Sequence, residues 1–200
     1  MQKAGGAKVR RRSAQSHEAV LTAAGELAGR RGYAACTIEE IAAAAGVGKQ
    51  TIYRWWPNKV ALFIEVYCKL IPTNLGSKDA GSLEGDLECL LDELSRLYAR
   101  TPAANILSGL VAEAQADASL AQQLRETYVA PRRVILRAVF LRAFERGEIS
   151  SRDNFEFVSD LFSGAVWFRL LLGEKRFGAE FKRRLVSAIV SAIRLPPPRK

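Results

Sequence analysis

The run Thr37-Ile-Glu-Glu-Ile-Ala-Ala-Ala-Ala-Gly-Val-Gly-Lys-Gln-Thr-Ile-Tyr-Arg-Trp-Trp-Pro-Asn-Lys59 decides the reading of the chain. It opens on Thr-x-x-Glu, in which a threonine and a glutamate three residues later cap the backbone N–H groups at a helix start. Ile41, Ala42 and Ala45 form the apolar side of that helix. Gly46 ends it, since glycine takes the positive φ a tight turn requires. A second short helix runs from Lys49 to Trp56, Pro57 stops it, and Asn58 is placed to cap the next. Two short helices joined by a glycine-containing turn are helix-turn-helix grammar. Ala42 is small where the helices cross, and Val47 can fill the angle between them. Lys49–Trp56 mixes hydrogen-bond donors with aromatics. A recognition helix needs that mixture, because it reaches base edges and grips phosphate at once.

Helical periodicity continues outward on both sides. Val20, Ala24, Leu27 and Ala28 share one face of a helix that Gly32 ends. Beyond Asn58, Val60, Phe63, Ile64, Tyr67 and Ile71 line another helix. Residues 72–82 hold Pro72, Asn74, Gly76, Gly81 and two serines, and predict a flexible connection. Leu83, Leu87, Leu90, Leu91, Leu94, Leu97 and Tyr98 then make an amphipathic helix of about four turns. Thr101-Pro102 starts the next as cap and first residue. Asp117 can cap another, which Pro131 is expected to kink or divide. Asp153 opens a helix through Leu172, and a last one runs from about Gly178 to Arg194, before Pro196–Pro198. No hairpin signal or sustained β-branched alternation occurs. The chain reads as all-α, with about nine helices.

Composition removes several functional classes. With 200 residues, 48% hydrophobic and 26% charged, the chain can bury a core without disulfides or a metal. Cys36, Cys68 and Cys89 are an odd number without C-x-x-C spacing, which fits a reducing compartment. One histidine, His17, makes a Ser-His-Asp triad or a His-rich zinc site a poor fit, and it reads as a surface residue. No glycine-rich phosphate cradle is present, so no enzyme and no cofactor is expected. No secretory signal or membrane-length apolar run is visible, which predicts a soluble, cytoplasmic protein. The net charge of +9 is uneven. Residues 1–60 hold 10 Lys/Arg against 4 Asp/Glu, and residues 61–200 hold 20 against 17. The excess therefore marks a basic N-terminal module on a nearly balanced body. Lys3, Lys8 and Arg10–Arg12 read as a basic tail, either solvated or ordering on DNA.

Thr37, Ile41-Ala42, Ala45-Gly46-Val47, Thr51, Tyr53, Trp56 and Lys59 occupy the positions of a known pattern. Over about residues 14–65 the chain resembles the TetR (tetracycline repressor) family of bacterial regulators. It departs from that pattern at Gly48, where the family usually has serine, and at Trp56, where phenylalanine is commoner. The resemblance implies that Thr51, Tyr53 and Lys59 hold phosphates, while Lys49, Gln50 and Arg54 face the major groove. Thr37 would cap and could also touch the backbone of double-stranded DNA. The residue chemistry agrees, since lysine or arginine pairs with guanine and glutamine with adenine. The resemblance divides the chain into a DNA-binding module at 1–59 and a ligand-binding and dimerisation body at 60–200.

The body follows the family only in plan, so its residues are read by pattern. Phe155, Val158, Leu161, Phe162, Ala165 and Val166 form one face of the penultimate helix, with Phe157, Trp167, Phe168, Leu171 and Leu172 on others. Phe181, Leu185, Ala188, Ile189 and Ala192 form one face of the last helix. A helix apolar on more than one side is buried on more than one side. That favours a homodimer formed through these two helices. TetR-like bodies enclose a pocket, and the candidate lining is Leu94, Tyr98, Ile106, Leu110, Tyr128, Phe140, Phe144, Phe162 and Trp167, though for any single one of them core packing is the commoner role. With no inward histidine or paired acid evident, the expected effector is a small hydrophobic molecule with aromatic character, oriented by Tyr98 and Tyr128. The expected whole is a ligand-responsive regulator, by family default a repressor, bound as a dimer to a palindromic operator and released by its effector.

Overall fold

The computed structural model describes the backbone of residues 4–195 and the side chains of residues 13–195. Helix α1 spans Ala4–Arg31. The backbone of most of the basic N-terminal run is thus helix rather than tail, and its side chains, like Pro196–Pro198, lie outside the described residues. Then come α2 (Ile38–Ala45), α3 (Lys49–Trp55), α4 (Lys59–Leu70), α5 (Leu83–Arg100) and α6 (Ala103–Ala114). α7 (Ala118–Leu124) passes without a break, through a π-helical turn at Arg125–Val129, into α8 (Ala130–Glu145). α9 (Phe155–Leu171) and α10 (Ala179–Ile193) complete the chain. Counting α7 and α8 as one rod, the described residues form nine helical rods and no strand, as periodicity predicts.

Packing sorts the chain into two compact units. One holds Met1–Leu70 and Thr101–Ala121, the other Ile71–Arg100 and Gln122–Lys200. More chain gathers around the helix-turn-helix than a division at 59/60 includes, because α4 and α6 both pack on α1 or on each other. In this first unit Val20, Ala24 and Ala28 of α1 are fully buried. Tyr33 lies so close to Gly109 of α6 that a Cβ there would stand 2.4 Å from its ring, so only glycine fits. Its hydroxyl donates to the Glu113 carboxylate, and burial raises its pKa, keeping it a neutral phenol. Ile106 and Leu110 are buried in α6 on the side of this unit.

In the second unit α5 packs against α8 and α10, and α9 against α8 and α10. The seven apolar positions spaced along α5 are all buried, together with Asp86. Asp86 accepts from the Ala80 amide at 2.7 Å, from Arg142 Nε at 3.3 Å and from Arg146 Nη2 at 3.2 Å. Arg142 also donates to the carbonyls of Gly76 and Lys78. Residues 71–82 lack helix, as expected, but they are tied down rather than loose. The partners sit about 60 positions away on α8, where local sequence gives no sign of them.

Capping is legible almost residue by residue. Asn58 Oδ1 accepts from the Ala61 amide at 2.8 Å, and Asp117 Oδ1 from Ser119 at 2.9 Å. Two boundaries shift by one residue: Pro102 takes the N-cap position of α6, where Thr101 Oγ1 accepts from the Ala103 amide at 3.2 Å, and Asn154, not Asp153, takes that of α9 without a side-chain cap bond. Pro131 neither ends nor divides its helix. Proline lacks an N–H and crowds the carbonyl four residues back. That carbonyl belongs to Thr127, inside the π-turn, where the wider backbone removes the conflict.

Candidate nucleic-acid interface and effector cavity

The turn between α2 and α3 is built as its residues require. Thr37 Oγ1 accepts from the Glu40 amide at 3.2 Å, and Glu40 Oε2 accepts from the Thr37 amide at 3.2 Å, closing the capping box. The Thr37 hydrogen bonds hold the Glu40 carboxyl below the usual carboxylate range. Gly46 takes φ 66°, the left-handed conformation, and its amide bonds back to α2. Gly48 stands at the N-cap of α3 in extended backbone, with no side chain to cap it. Ile52 is the fully buried anchor of α3.

The other side of α3 faces solvent. Lys49, Gln50, Tyr53 and Arg54 are exposed and Thr51 is half-buried. Tyr53 is 49% exposed. Lys49 Nζ donates to Glu39 Oε1 at 2.7 Å, and this bond lowers the Glu39 pKa and raises that of Lys49. The Arg54 guanidinium lies 5.1 Å from the centre of the Trp55 ring. Lys59 sits 4.2 Å over the Tyr33 ring, a cation held against an aromatic face. Trp56 is buried, and its Nε1 donates to Glu65 at 2.7 Å. His17 is more than a surface residue: its ring packs 4.5 Å from that of Trp56 and 5.1 Å from that of Trp55, and Nε2 lies 3.3 Å from Glu65. Cys36 is buried, donates to the Gly32 carbonyl, and has its thiol pKa pushed up by burial, so it is no reactive thiolate.

The second unit encloses a cavity of about 20 Å³ among α5, the π-turn, α8 and α9. Leu94, Tyr98, Tyr128, Phe162 and Trp167 of the expected lining do meet there. Ile106 and Leu110 do not, since α6 belongs to the first unit. Phe140 packs on Phe155, with ring centres 5.4 Å apart, and Phe144 lies under Arg152. The cavity also takes Leu90, Arg132, Ile135, Leu136, Ser163 and Val166, which pattern reading passed over. Arg132 stands one helical turn beyond Tyr128, a spacing visible in sequence but masked by Pro131. Trp167 Nε1 donates to Tyr128 Oη at 2.9 Å across the cavity. Burial raises the Tyr128 pKa, so its hydroxyl stays protonated.

A wider groove of about 440 Å³ runs over the first unit between α1 and α4, floored by Leu21, Gly25, Val66 and Leu70. Its one lysine, Lys69, is already bonded to Glu18. The cavity gathers Arg132, Tyr98, Tyr128, Ser163 and Trp167, whereas the polar residues of the groove are Glu18, Thr22, Glu26 and Lys69, and placed polar groups are what fix a ligand's orientation. Among the described residues no helix is long and apolar enough to cross a membrane, and no cluster of His, Cys, Asp or Glu could hold a metal ion.

Known proteins share this arrangement. Residues 20–66 match the profile of bacterial regulatory proteins of the tetR family, and residues 77–189 that of the tetracyclin repressor-like C-terminal domain. The uncharacterized HTH-type transcriptional regulator YdeS of Bacillus subtilis (strain 168) is 29% identical over 177 residues, 88% of this chain and 89% of that one. The crystal structure of the TetR family transcription regulator SCO0332 superimposes with a TM-score of 0.73 at 33% identity, covering 92% of this chain and all of the other. FadR from Bacillus subtilis, crystallised with stearoyl-CoA, shares the fold at 19% identity and a TM-score of 0.70, over 88% of this chain and 98% of its own. A helix-turn-helix with a solvent-facing second helix, a helical body around a cavity, and matches spanning both halves lead to one assignment: the chain belongs to the TetR family of DNA-binding transcriptional regulators.

Proposed function

We propose that this regulator is a repressor that binds a palindromic operator as a homodimer and is released by a small effector lodged in the second unit. The observation that carries the reading is the exposed face of α3. Lys49, Gln50, Tyr53 and Arg54 stand in solvent on a helix anchored from behind by buried Ile52. Lys49, Gln50 and Arg54 read bases, while Thr51, Tyr53 and Lys59 hold phosphates. Thr37 caps α2 and lies at the edge of the same surface.

The dimer reading is supported by α9. Phe157, Leu161, Phe168, Leu171 and Leu172 are all exposed, and their spacing gathers them along one side of the helix. Leu161 therefore belongs with this outer stripe rather than with Phe155 and Val158, which are buried. On α10 the large apolar residues face inward and smaller ones, Ser187, Ala188 and Ser191, face out. A two-fold pairing of such helices suits paired half-sites. The same fold in FadR accommodates stearoyl-CoA, which supports an effector within the body.

Selection of bound fragments from fragmented genomic DNA, followed by footprinting, tests the reading. The expected product is an inverted repeat with half-site centres about 34–36 Å apart, or a multiple. An effector should weaken operator binding five- to 150-fold, the range of a coupling of roughly 1–3 kcal/mol. Sedimentation that finds a monomer at micromolar concentration still binding the operator tightly sinks the dimer.

A further inference from the structure

We infer that the effector is an organic acid: a carboxylate on an apolar, alkyl or aromatic body, its charge received by Arg132 at the wall of the cavity in the second unit. The inference rests on the reading of that cavity as the effector site and adds the chemistry of its occupant.

The cavity contributes one cation and, among the described residues, no aspartate or glutamate to its lining. Its other walls are leucine, isoleucine, valine and phenylalanine side chains, Ser163, and aromatic side chains with hydroxyl or indole N–H groups. Arg132 is half-buried, and a single arginine in a lining without a carboxylate favours an anion over a cationic guest. Arginine presents its donors in a flat fork that matches the two oxygens of a carboxylate. The guanidinium carbon lies 5.7 Å from the centre of the Tyr128 ring, so the ring backs the cation and restricts its position.

The backbone adds a second, independent feature. π-helical turns are rare and concentrate at functional sites. The only one among the described residues, Arg125–Val129, carries Tyr128 into the cavity, one turn before Arg132. Tyr128 remains a neutral phenol, already hydrogen-bonded to Tyr98 and to Trp167, so an anion would take the place of one of these partners. At present its oxygen accepts from Trp167 at 2.9 Å. The carboxylate would lie toward Arg132 and the apolar body against the leucine, isoleucine and phenylalanine walls.

Size completes the argument. A cavity of about 20 Å³ holds about one water, whereas drug-sized ligands occupy several hundred. A guest must therefore widen the space between α9 and the π-turn, which the Trp167–Tyr128 bond now joins. Ligand entry thus reshapes the unit that carries the exposed α9 stripe, which is the differential interaction that any release of DNA requires.

The test uses the full chain and titration calorimetry with matched probes: decanoate, 4-phenylbutyrate and 1-naphthoate, each against its own primary amide. The acids are expected to bind at least about tenfold tighter than their amides. Arg132→Met should abolish that preference, and Arg132→Lys should retain part of it. Equal binding of acid and amide to the unaltered chain overturns the inference while leaving the cavity as an effector site for neutral molecules. Binding of neither series at millimolar concentration overturns both the inference and the reading of the cavity. The acid-to-amide ratio on the unaltered chain needs no variant, so a misfolded Arg132→Met protein does not rescue the claim. An undiminished ratio in a folded Arg132→Met protein also overturns it.

Discussion

The DNA-facing helix and the cavity wall use the same side chains in opposite settings. Arg54 lies against the Trp55 ring on the surface of α3, beside exposed Tyr53. Arg132 lies against the Tyr128 ring at the cavity, and Tyr128 is 7% exposed. On α3 water and salt screen each charge, so any single ionic contact made there is weak. In the cavity wall one half-buried guanidinium stands in a lining without a carboxylate, the setting on which the proposed choice of an anion rests. Acids differ in the same way. Glu39 pairs with Lys49 in open solvent, whereas Asp86 is fully buried between two arginines. Residue type alone therefore does not say what a charged pair does; its burial does.

The largest effect expected from breaking this comparison is at Asp86. Asp86→Ala leaves Arg142 and Arg146 partly buried without their shared acceptor and should cost about 3–5 kcal/mol, read from urea denaturation. A loss below roughly 1 kcal/mol would show that the arginines find other partners at little cost. Next come the exposed donors of α3. Lys49→Ala or Gln50→Ala should change base preference by about 1–3 kcal/mol in competition against operator variants, with folding stability intact. Lys59→Ala should instead weaken all sequences alike and reduce the salt slope of binding by roughly one unit. An unchanged slope removes Lys59 from the phosphate contacts.

Smaller still is the effect of Glu39→Gln. It should leave stability unmoved and raise affinity for unselected duplex DNA at low salt by freeing Lys49, a gain that vanishes near 1 M salt, where screening acts within about 3 Å. The pH behaviour of the unaltered pair sharpens the point. The Glu39 pKa is lowered, so its pairing is present above the ordinary carboxylate range and is lost as pH falls through the lowered value. The Lys49 pKa is raised, so at alkaline pH the pair persists until pH passes that raised value. Carboxylate NMR titration of Glu39 with and without Lys49→Ala checks both the sign and the cause. The smallest effect is at Gly48, where open space surrounds the position a Cβ would take. Gly48→Ser should add a few tenths of a kcal/mol by capping α3, and one further phosphate hydroxyl. Thermal melts and low-salt DNA titrations resolve the two.

The DNA-binding module was legible because its determinants are local. The Thr37–Glu40 box, Gly46 and Asn58 each bond within three or four residues, so their spacing is their structure. The cavity was legible only in part. Tyr98, Tyr128, Phe162 and Trp167 could be named as inward-facing by helical period, but Ile106 and Leu110 have the same period and belong to the other unit. Arg132 was invisible because a charged residue beside a proline reads as helix end, and the π-turn that accommodates Pro131 has no sequence signal of its own.

By itself, then, the sequence determined the helices, their caps, the helix-turn-helix and its exposed chemistry, because i to i+3 and i to i+4 contacts are set by which residues neighbour each other along the chain. Tertiary structure alone decided the rest. It tied residues 71–82 to Asp86, Arg142 and Arg146, placed α6 with the DNA-binding module, and put a guanidinium against the cavity. Such contacts join positions tens of residues apart, and they exist only where packing brings distant helix faces together and removes the water between them.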